Sequence, residues 1–231
     1  MSASRRGVRR PACVIPAFDA GATVGSVVAG LRASLPGAAV VVVDDGSRDA
    51  TGEAALRAGA QVVRLPHNRG KGAALRAGFA AVLGEGADAV LTVDADGQHD
   101  PAAAPQLVAA LACADVVIGT RRRDGSTPMP VHRRLSNALS SRAISQCAGC
   151  ILPDTQSGYR AIRADVLREV HPRGDRYEYE TDFLILAARA GFLFAGVPIP
   201  TIYGAPSHFR PLHDAARVVA TIWRHRREAF R

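Results

Sequence analysis

An α/β fold, with a mainly parallel sheet flanked by helices in a single domain, is predicted by three observations. Short β-branched runs alternate with alanine-rich helical stretches through the first half of the chain. Those runs are apolar from end to end, as strands covered on both faces must be. Charged residues then gather just past the carboxyl ends of the runs, where sheets of this kind bind ligands. At 231 residues and 48% hydrophobic, the chain can bury one sizeable core.

The first strand is read in ACVIPA, ahead of a helix from Thr23 to Leu35. AVVVVD leads into a helix from Asp49 to Ala58, QVVRL into one from Gly72 to Leu83, and AVLTVD into one from Pro101 to Ala112, with DVVIGT closing the series. After Arg123 the texture changes to a Gly/Pro/Ser loop, DGSTPMP, and a basic helix from Arg133 to Cys147. LPDTQSGYR reads as a turn, followed by a short helix from Ala164 to Val170. The acidic stretch Tyr177-Glu-Tyr-Glu-Thr-Asp182 opens an apolar helix, and FAGVPIP reads as a strand. The last helix, Leu212 to Phe230, mixes Val218, Val219, Ile222, Trp223 and Phe230 with Arg217, Arg224, Arg226, Arg227 and Arg231. Such a basic amphipathic element suits an anionic membrane surface, or packing on the core with a solvated basic face.

Composition excludes several classes. The four cysteines are too few and too scattered for a disulfide framework, and Cys147-Ala-Gly-Cys150 has no second pair or nearby histidines to complete a zinc site. No stretch reaches the ~18 uncharged apolar residues of a membrane span. The basic start lacks the apolar segment of a signal peptide, so a cytoplasmic protein is expected. The net charge of +8 comes almost wholly from arginine, Lys71 being the only lysine, and is discounted as a nucleic-acid signal. No G-x-S-x-G serine and no H-E-x-x-H pair is present.

The strand ends carry the chemistry. In VDADGQHDP, Asp94 and Asp96 are two apart in an extended chain and so point to one side, where they can share a cation. With the Gln98 amide oxygen as a third donor, the all-oxygen set favours Mg²⁺ or Mn²⁺ with positions left for phosphate oxygens. Asp100 before Pro101 is explained by helix capping alone. In VVVDDGSRDAT, Gly46 suits the turn and Ser47 or Asp49 the cap; one of Asp44 and Asp45 is left to accept hydrogen bonds from a base or ribose. HNRGKGAALRAGF fits neither glycine-rich phosphate fingerprint, yet Arg69 and Lys71 ahead of a helix form an anion-binding corner.

Taken in order, IPAFDAG, VVVDDGSRDAT, HNRGKGAALRAGF, VDADGQHDP, DTQSGYRA and YEYETDFLILAARAGF resemble the motifs of family 2 glycosyltransferases, and within them the polyprenyl- or dolichyl-phosphate mannosyl- and glucosyltransferases. The resemblance implies a GT-A fold, a nucleotide-diphosphate sugar donor, a divalent metal and inversion at the anomeric carbon. It divides the chain into a basic tail (1–11), a nucleotide-sugar and metal half (12–123), an acceptor half (124–210) and the C-terminal helix (211–231). Pro16, Phe18 and Asp19 fall where the family holds the nucleotide, and Asp44 or Asp45 where it reads base and ribose. Asp94, Asp96 and Gln98 match its metal site; Arg121, one of Arg133 or Arg134, and Ser136 match positions associated with donor and acceptor phosphates. In YGAPSHFRP, Arg210 is the expected phosphate contact of a loop closing over the donor. Phe18-Asp19 departs from the family's usual Tyr-Asn-Glu.

The expected reaction moves a hexose from a GDP-mannose or UDP-glucose type donor to a polyprenyl phosphate at the inner face of the cell membrane, through peripheral contact. The metal and arginines stabilise the leaving diphosphate in place of a general acid. A phosphate acceptor is already anionic and needs no strong base. A hydroxyl of a glycolipid or polysaccharide needs one, and Asp182, before Glu180, is the expected residue. The rivals are a sugar-1-phosphate nucleotidyltransferase, which lacks support because IPAFDAG is not its Gly-rich, Arg-containing loop, and a non-catalytic basic adaptor. No nucleic-acid partner is expected, and no oligomeric state is read.

Overall fold

A computed structural model describes residues 7–121, 131–200 and 211–229, the side chains of 131–138, 211–216, 228 and 229 excepted. Seven strands form one sheet: β1 (Pro11–Ala17), β2 (Ala39–Asp44), β3 (Gln61–Arg64), β4 (Ala89–Thr92), β5 (Val116–Arg121), β6 (Arg160–Arg163) and β7 (Phe194–Ile199). Their spatial order is β3-β2-β1-β4-β6-β5-β7. The helices are α1 (Val24–Ser34), α2 (Thr51–Arg57), α3 (Lys71–Gly84), α4 (Ala104–Ala110), α5 (Val131–Ala148), α6 (Ala164–Glu169), α7 (Glu178–Arg189) and α8 (Pro211–Ala229). The predicted series holds, with bounds shifted by a few residues; the helix expected from Pro101 splits into a 3-10 turn, Pro101–Ala103, and α4.

Burial on both faces explains why the strands are continuously apolar. On β1, Cys13 and Ile15 pack with Val27, Leu31, Leu107 and Leu111 of α1, α4 and the residue after it. Their neighbours Ala12 and Val14 pack on the other side with Ala74, Leu75, Phe79 and Val82 of α3. Each of these leucines, fully buried, contributes about 1.5 to 3 kcal/mol relative to exposure. The small residues of α3 let it approach closely: a Cβ on Gly78 would stand 2.4 Å from Val14 Cγ1. A second core, including Ile144, Phe183, Leu184 and Ile185, covers Val116, Ile118 and Ile162.

One strand corrects the sequence reading. The stretch taken as a turn runs into β6, which lies between β4 and β5 and is antiparallel to both. It consists of Arg160, Ala161, Ile162 and Arg163, too short and too little alternating to declare itself. Antiparallel pairing sets Arg160 against Thr92, so the chain entering β6 lies beside the end of β4 where the aspartates begin.

The C-terminal helix packs on the protein through one face. Thr221 and His225 are buried and Ile222 joins the second core, whereas Val219 and Trp223 are exposed. Among the described residues, no helix is long and apolar enough to cross a membrane.

Candidate active site

The carboxyl end of β4 turns at once into the aspartate loop. Thr23 at the start of α1 donates its hydroxyl to the Ala95 carbonyl at 2.6 Å, pinning the loop between Asp94 and Asp96. The Gln98 amide donates to Asp96 Oδ1 at 3.0 Å. Asp100 caps the following turn by accepting from the Ala102 amide at 2.9 Å, the structural role expected of it.

Asp94 begins a chain of alternating charges contributed by four elements. Its Oδ1 lies 2.7 Å from Lys71 Nζ, the first side chain of α3, and the same ammonium lies 2.8 Å from Glu180 Oε2 on α7. Glu180 Oε1 in turn meets Arg160 Nη1 of β6 at 3.0 Å, and Arg160 Nη2 donates to the Thr155 carbonyl at 3.1 Å. Burial opposes every charge here, and the partners decide the outcome. Desolvation would lower the Lys71 ammonium, but Asp94 and Glu180 outweigh it and hold its pKa well up. Desolvation would likewise raise Asp94, but Lys71 outweighs it and keeps its carboxyl below the ordinary range.

Asp96 behaves oppositely. Burial, then the adjacent charge of Asp94, pushes its carboxyl above the ordinary value, and the Gln98 amide offsets only part of this. A nearby cation is what would relieve it. Among the described residues no group of three or more His, Cys, Asp and Glu side chains is placed to hold a metal ion. The donors expected from the sequence, Asp94, Asp96 and the Gln98 side-chain oxygen, make an all-oxygen set of the kind a hard divalent cation takes. Lys71, expected with Arg69 at an anion-binding corner, sits against Asp94 and Glu180.

Two further residues shape this cluster. Gly158 lies against Asp94, where an added Cβ would come within 2.4 Å of Oδ2, and its carbonyl accepts from Thr92 Oγ1 at 2.8 Å. His99 is buried beside Tyr159, ring centroids 5.2 Å apart, with Nε2 3.9 Å from Asp94 Oδ2 and no hydrogen-bond partner at Nδ1. Burial, against the pull of Asp94 and Asp96, lowers its pKa and favours the neutral ring.

At the ends of β1 and β2 the predicted nucleotide residues form one stitched rim. Pro16 and Phe18 are half-buried there. Asp19, at φ 48°, donates its amide to Ser47 Oγ at 3.0 Å and accepts from the Arg48 amide at 2.8 Å. The two adjacent aspartates then separate in role. Asp45 accepts from the amides of Arg69 and Gly70, both at 2.7 Å, and so builds the loop ahead of α3. Asp44 is fully buried, with Oδ1 accepting from the Ser47 amide at 2.8 Å. Its Oδ2 has no hydrogen bond, and Arg64 Nε stands 3.5 Å away.

From β5 onward the predicted residues are placed differently. Arg121, at the end of β5, grips Asp154 through Nε at 2.8 Å and Nη2 at 2.7 Å, tying the 154–159 loop to the sheet. Asp182 is 1% exposed. Its Oδ2 accepts from the Arg173 amide at 2.6 Å, and its Oδ1 meets His225 Nε2 at 2.5 Å and Arg224 Nη2 at 2.8 Å on α8. Residues two apart on a helix point about 200° from one another, so Glu180 faces Lys71 while Asp182 faces α8. Burial would raise the Asp182 carboxyl; His225, the Arg173 amide and Arg224 bring it below the ordinary range. Arg210 and the side chains of Arg133, Arg134 and Ser136 lie outside the described residues. Sequence reasoning assigned no role to Arg160, Gly158, Asp154 or His99; the signal was present in DTQSGYR and GQHDP, but only β6 pairing shows what those residues touch.

Comparison with known proteins converges on one family. Residues 12–171 match the family described as Glycosyl transferase family 2. The chain is 34% identical over 196 residues to the undecaprenyl-phosphate mannosyltransferase of Micrococcus luteus, covering 80% of this chain and 81% of that one. It is 32% identical over 212 residues to the polyprenol monophosphomannose synthase of Mycolicibacterium smegmatis, covering 85% and 79%. In structure it resembles glucosyl-3-phosphoglycerate synthase of Mycobacterium tuberculosis, solved with Mn²⁺, UDP-glucose and phosphoglyceric acid, at TM-score 0.72, 26% identity, and 94% of this chain against 79% of that one. A sheet of this order with its acidic rim, and a family match across most of the chain, make the protein a GT-A glycosyltransferase of family 2.

Proposed function

We propose that this enzyme transfers a hexose from a nucleoside-diphosphate sugar to a polyprenyl phosphate with inversion and with a divalent metal. The observation that carries the reading is the charge chain Asp94, Lys71, Glu180, Arg160, in which a paired carboxylate, a cation and the entry to β6 meet at the carboxyl rim of the sheet. The named activities of the relatives, transfer to undecaprenyl phosphate and synthesis of polyprenol monophosphomannose, support the acceptor class.

Each residue has work that its contacts suit. Asp44, fully buried with Oδ2 3.5 Å from Arg64 Nε, backs the rim along which base and ribose would lie. Asp45 holds the loop before α3, and Asp19, with Pro16 and Phe18, forms the wall along the nucleotide. Mg²⁺ or Mn²⁺, when bound by Asp94, Asp96 and Gln98, would supply Lewis-acid stabilisation of the leaving diphosphate. Lys71 neutralises Asp94 and Glu180 and stands ready to share its charge with the donor's phosphates. Arg121 positions the 154–159 loop beside the same rim, while one of Arg133 or Arg134, with Ser136, remains the proposed contact to the donor and acceptor phosphates and Arg210 the proposed contact to the donor diphosphate.

An acceptor phosphate is its own nucleophile and asks for no base, which agrees with Asp182 having its oxygens engaged away from the charge chain. We assign Asp182 to positioning α8. Transfer to a hydroxyl, the alternative, would fall to Glu180, which faces Lys71.

The test is incubation of the purified protein with bacterial membranes, Mg²⁺ or Mn²⁺ and labelled UDP- and GDP-sugars. Metal-dependent, acid-labile label in the solvent-extractable lipid, absent with Asp96→Ala, is expected. Release of free nucleotide with label entering only water-soluble or acid-stable glycan would overturn the lipid-phosphate acceptor.

A further inference from the structure

Six large hydrophobic side chains are exposed among the described residues, and four of them, Leu139, Ile151, Val219 and Trp223, belong to α5, α8 and the turn after α5. Ile151 is 92% exposed, Val219 63%, Leu139 61% and Trp223 58%. The helices bring them together. Leu139, Arg142 and Gln146 are spaced three, then four residues apart along α5, and Val219, Trp223 and Arg226 four, then three along α8, so each set forms one stripe. The stripes meet where Arg226 Nη2 donates to Gln146 Oε1 at 2.8 Å. Ile151 projects from the turn that closes α5, a turn held by the Leu152 amide donating to Ser145 Oγ at 3.1 Å.

Charge identifies the occupant. Residues 139–152 and 217–227 contain five arginines and no acidic residue. Arg142, Arg226 and Arg227 are exposed, and Arg227 lies over the Trp223 ring with its guanidinium carbon 4.1 Å from the centroid. An aromatic ring and aliphatic side chains interspersed with arginines match a bilayer interface that carries negative headgroups. The face also leads to the chemistry: Ser141 Oγ on α5 meets Thr155 Oγ1 at 2.8 Å, and the Thr155 carbonyl is bonded to Arg160 of the charge chain. Between α5 and the turn lies an open groove of about 900 Å³, lined by Leu139, Arg142, Cys150 and Ile151 among others.

We propose that the face shared by α5, the 149–152 turn and α8 docks on an anionic lipid bilayer and holds the catalytic rim beside it. The inference rests on the lipid-phosphate reading of the acceptor, and it assigns the contact to two helices and a turn, with α8 fastened inward by Asp182 and outward by lipid.

Trp223 is the only tryptophan in the chain and therefore reports on this face directly. The full-length protein is titrated with vesicles of phosphatidylcholine alone or with phosphatidylglycerol added. With the anionic vesicles, Trp223 emission is expected to move to shorter wavelength, to be quenched by bromine-labelled lipid, and to lose the response at high salt. Ile151→Ser with Val219→Ser, keeping the reporter, is expected to weaken vesicle binding about tenfold. The same variant is expected to glycosylate a short-chain prenyl phosphate, offered without vesicles, at the unaltered rate. Emission indifferent to anionic vesicles overturns the proposal, as does a concentration-dependent shift without lipid, which assigns the face to a second copy of the chain. Wild-type failure on the short-chain acceptor overturns the lipid-phosphate reading instead, whatever the vesicles show.

Discussion

Asp94 and Asp182 are both carboxylates held below their ordinary pKa by their partners, and they are held in opposite settings. Asp94 lies on the sheet rim with its side chain 28% exposed, shares one lysine with Glu180, and stands next to Asp96, whose carboxyl burial and repulsion push up. Asp182 is sealed between α7 and α8 with a histidine, an arginine and a backbone amide filling its oxygens. Charge pairing alone therefore does not mark a working carboxylate. What distinguishes the rim is an arrangement left short of positive charge at Asp96, whereas the buried pair is complete and holds a helix in place.

That contrast can be sharpened by substitution. The largest effect is expected from Asp96→Asn, which removes a charge that the proposed metal site would use and should lower glycosyl transfer about 10³-fold. Because its carboxyl is raised in the fold, neutralising it should leave the melting temperature equal or higher. Next is Gly158→Ala, whose Cβ would displace Asp94 Oδ2 from a 2.4 Å approach; transfer should fall about 10²-fold with the fold retained by circular dichroism. Lys71→Met leaves Asp94 and Glu180 without their shared cation, and a loss of about tenfold is expected in steady-state assays.

The smallest effect concerns pH. The Asp182 carboxyl lies below its ordinary 3.8 in the folded protein, so its pairing stabilises fully above that value and is lost as pH falls through the folded pKa. The gap in melting temperature between wild type and Asp182→Asn should therefore be constant near neutrality and narrow below pH 3.8. A gap that widens in acid would contradict the assignment.

The two halves of the chain were unequally legible. Through Arg121 the strands were written in their apolar runs and the rim residues in the polar breaks that follow, because β1, β2, β4 and β5 are parallel strands buried along most of their length; β3, with exposed Gln61 and Arg64 at the sheet edge, is the exception. β6 was not legible: Arg-Ala-Ile-Arg has no period of its own and becomes a strand only by pairing with β4 and β5. With β6 unseen, Arg160 and Gly158 had no place at the site, and Glu180 ranked behind Asp182. The choice between those two carboxylates depends on helix phase and on α8, both long-range facts. Asp44 and Asp45 were likewise indistinguishable until the amides of Arg69 and Gly70 claimed Asp45.

The central claim is that the rim carboxylates carry the chemistry while Asp182 carries the fold, and the most direct test sets Asp96→Asn beside Asp182→Asn, with melting temperature and transfer rate measured on both. Asp96→Asn is expected to melt no lower than wild type and to be nearly inactive. Asp182→Asn should lose stability, by up to about 3 to 5 kcal/mol for a broken buried pair, yet turn over at a rate close to wild type wherever it is folded. A stable but inactive Asp182→Asn, or an active Asp96→Asn, would contradict it.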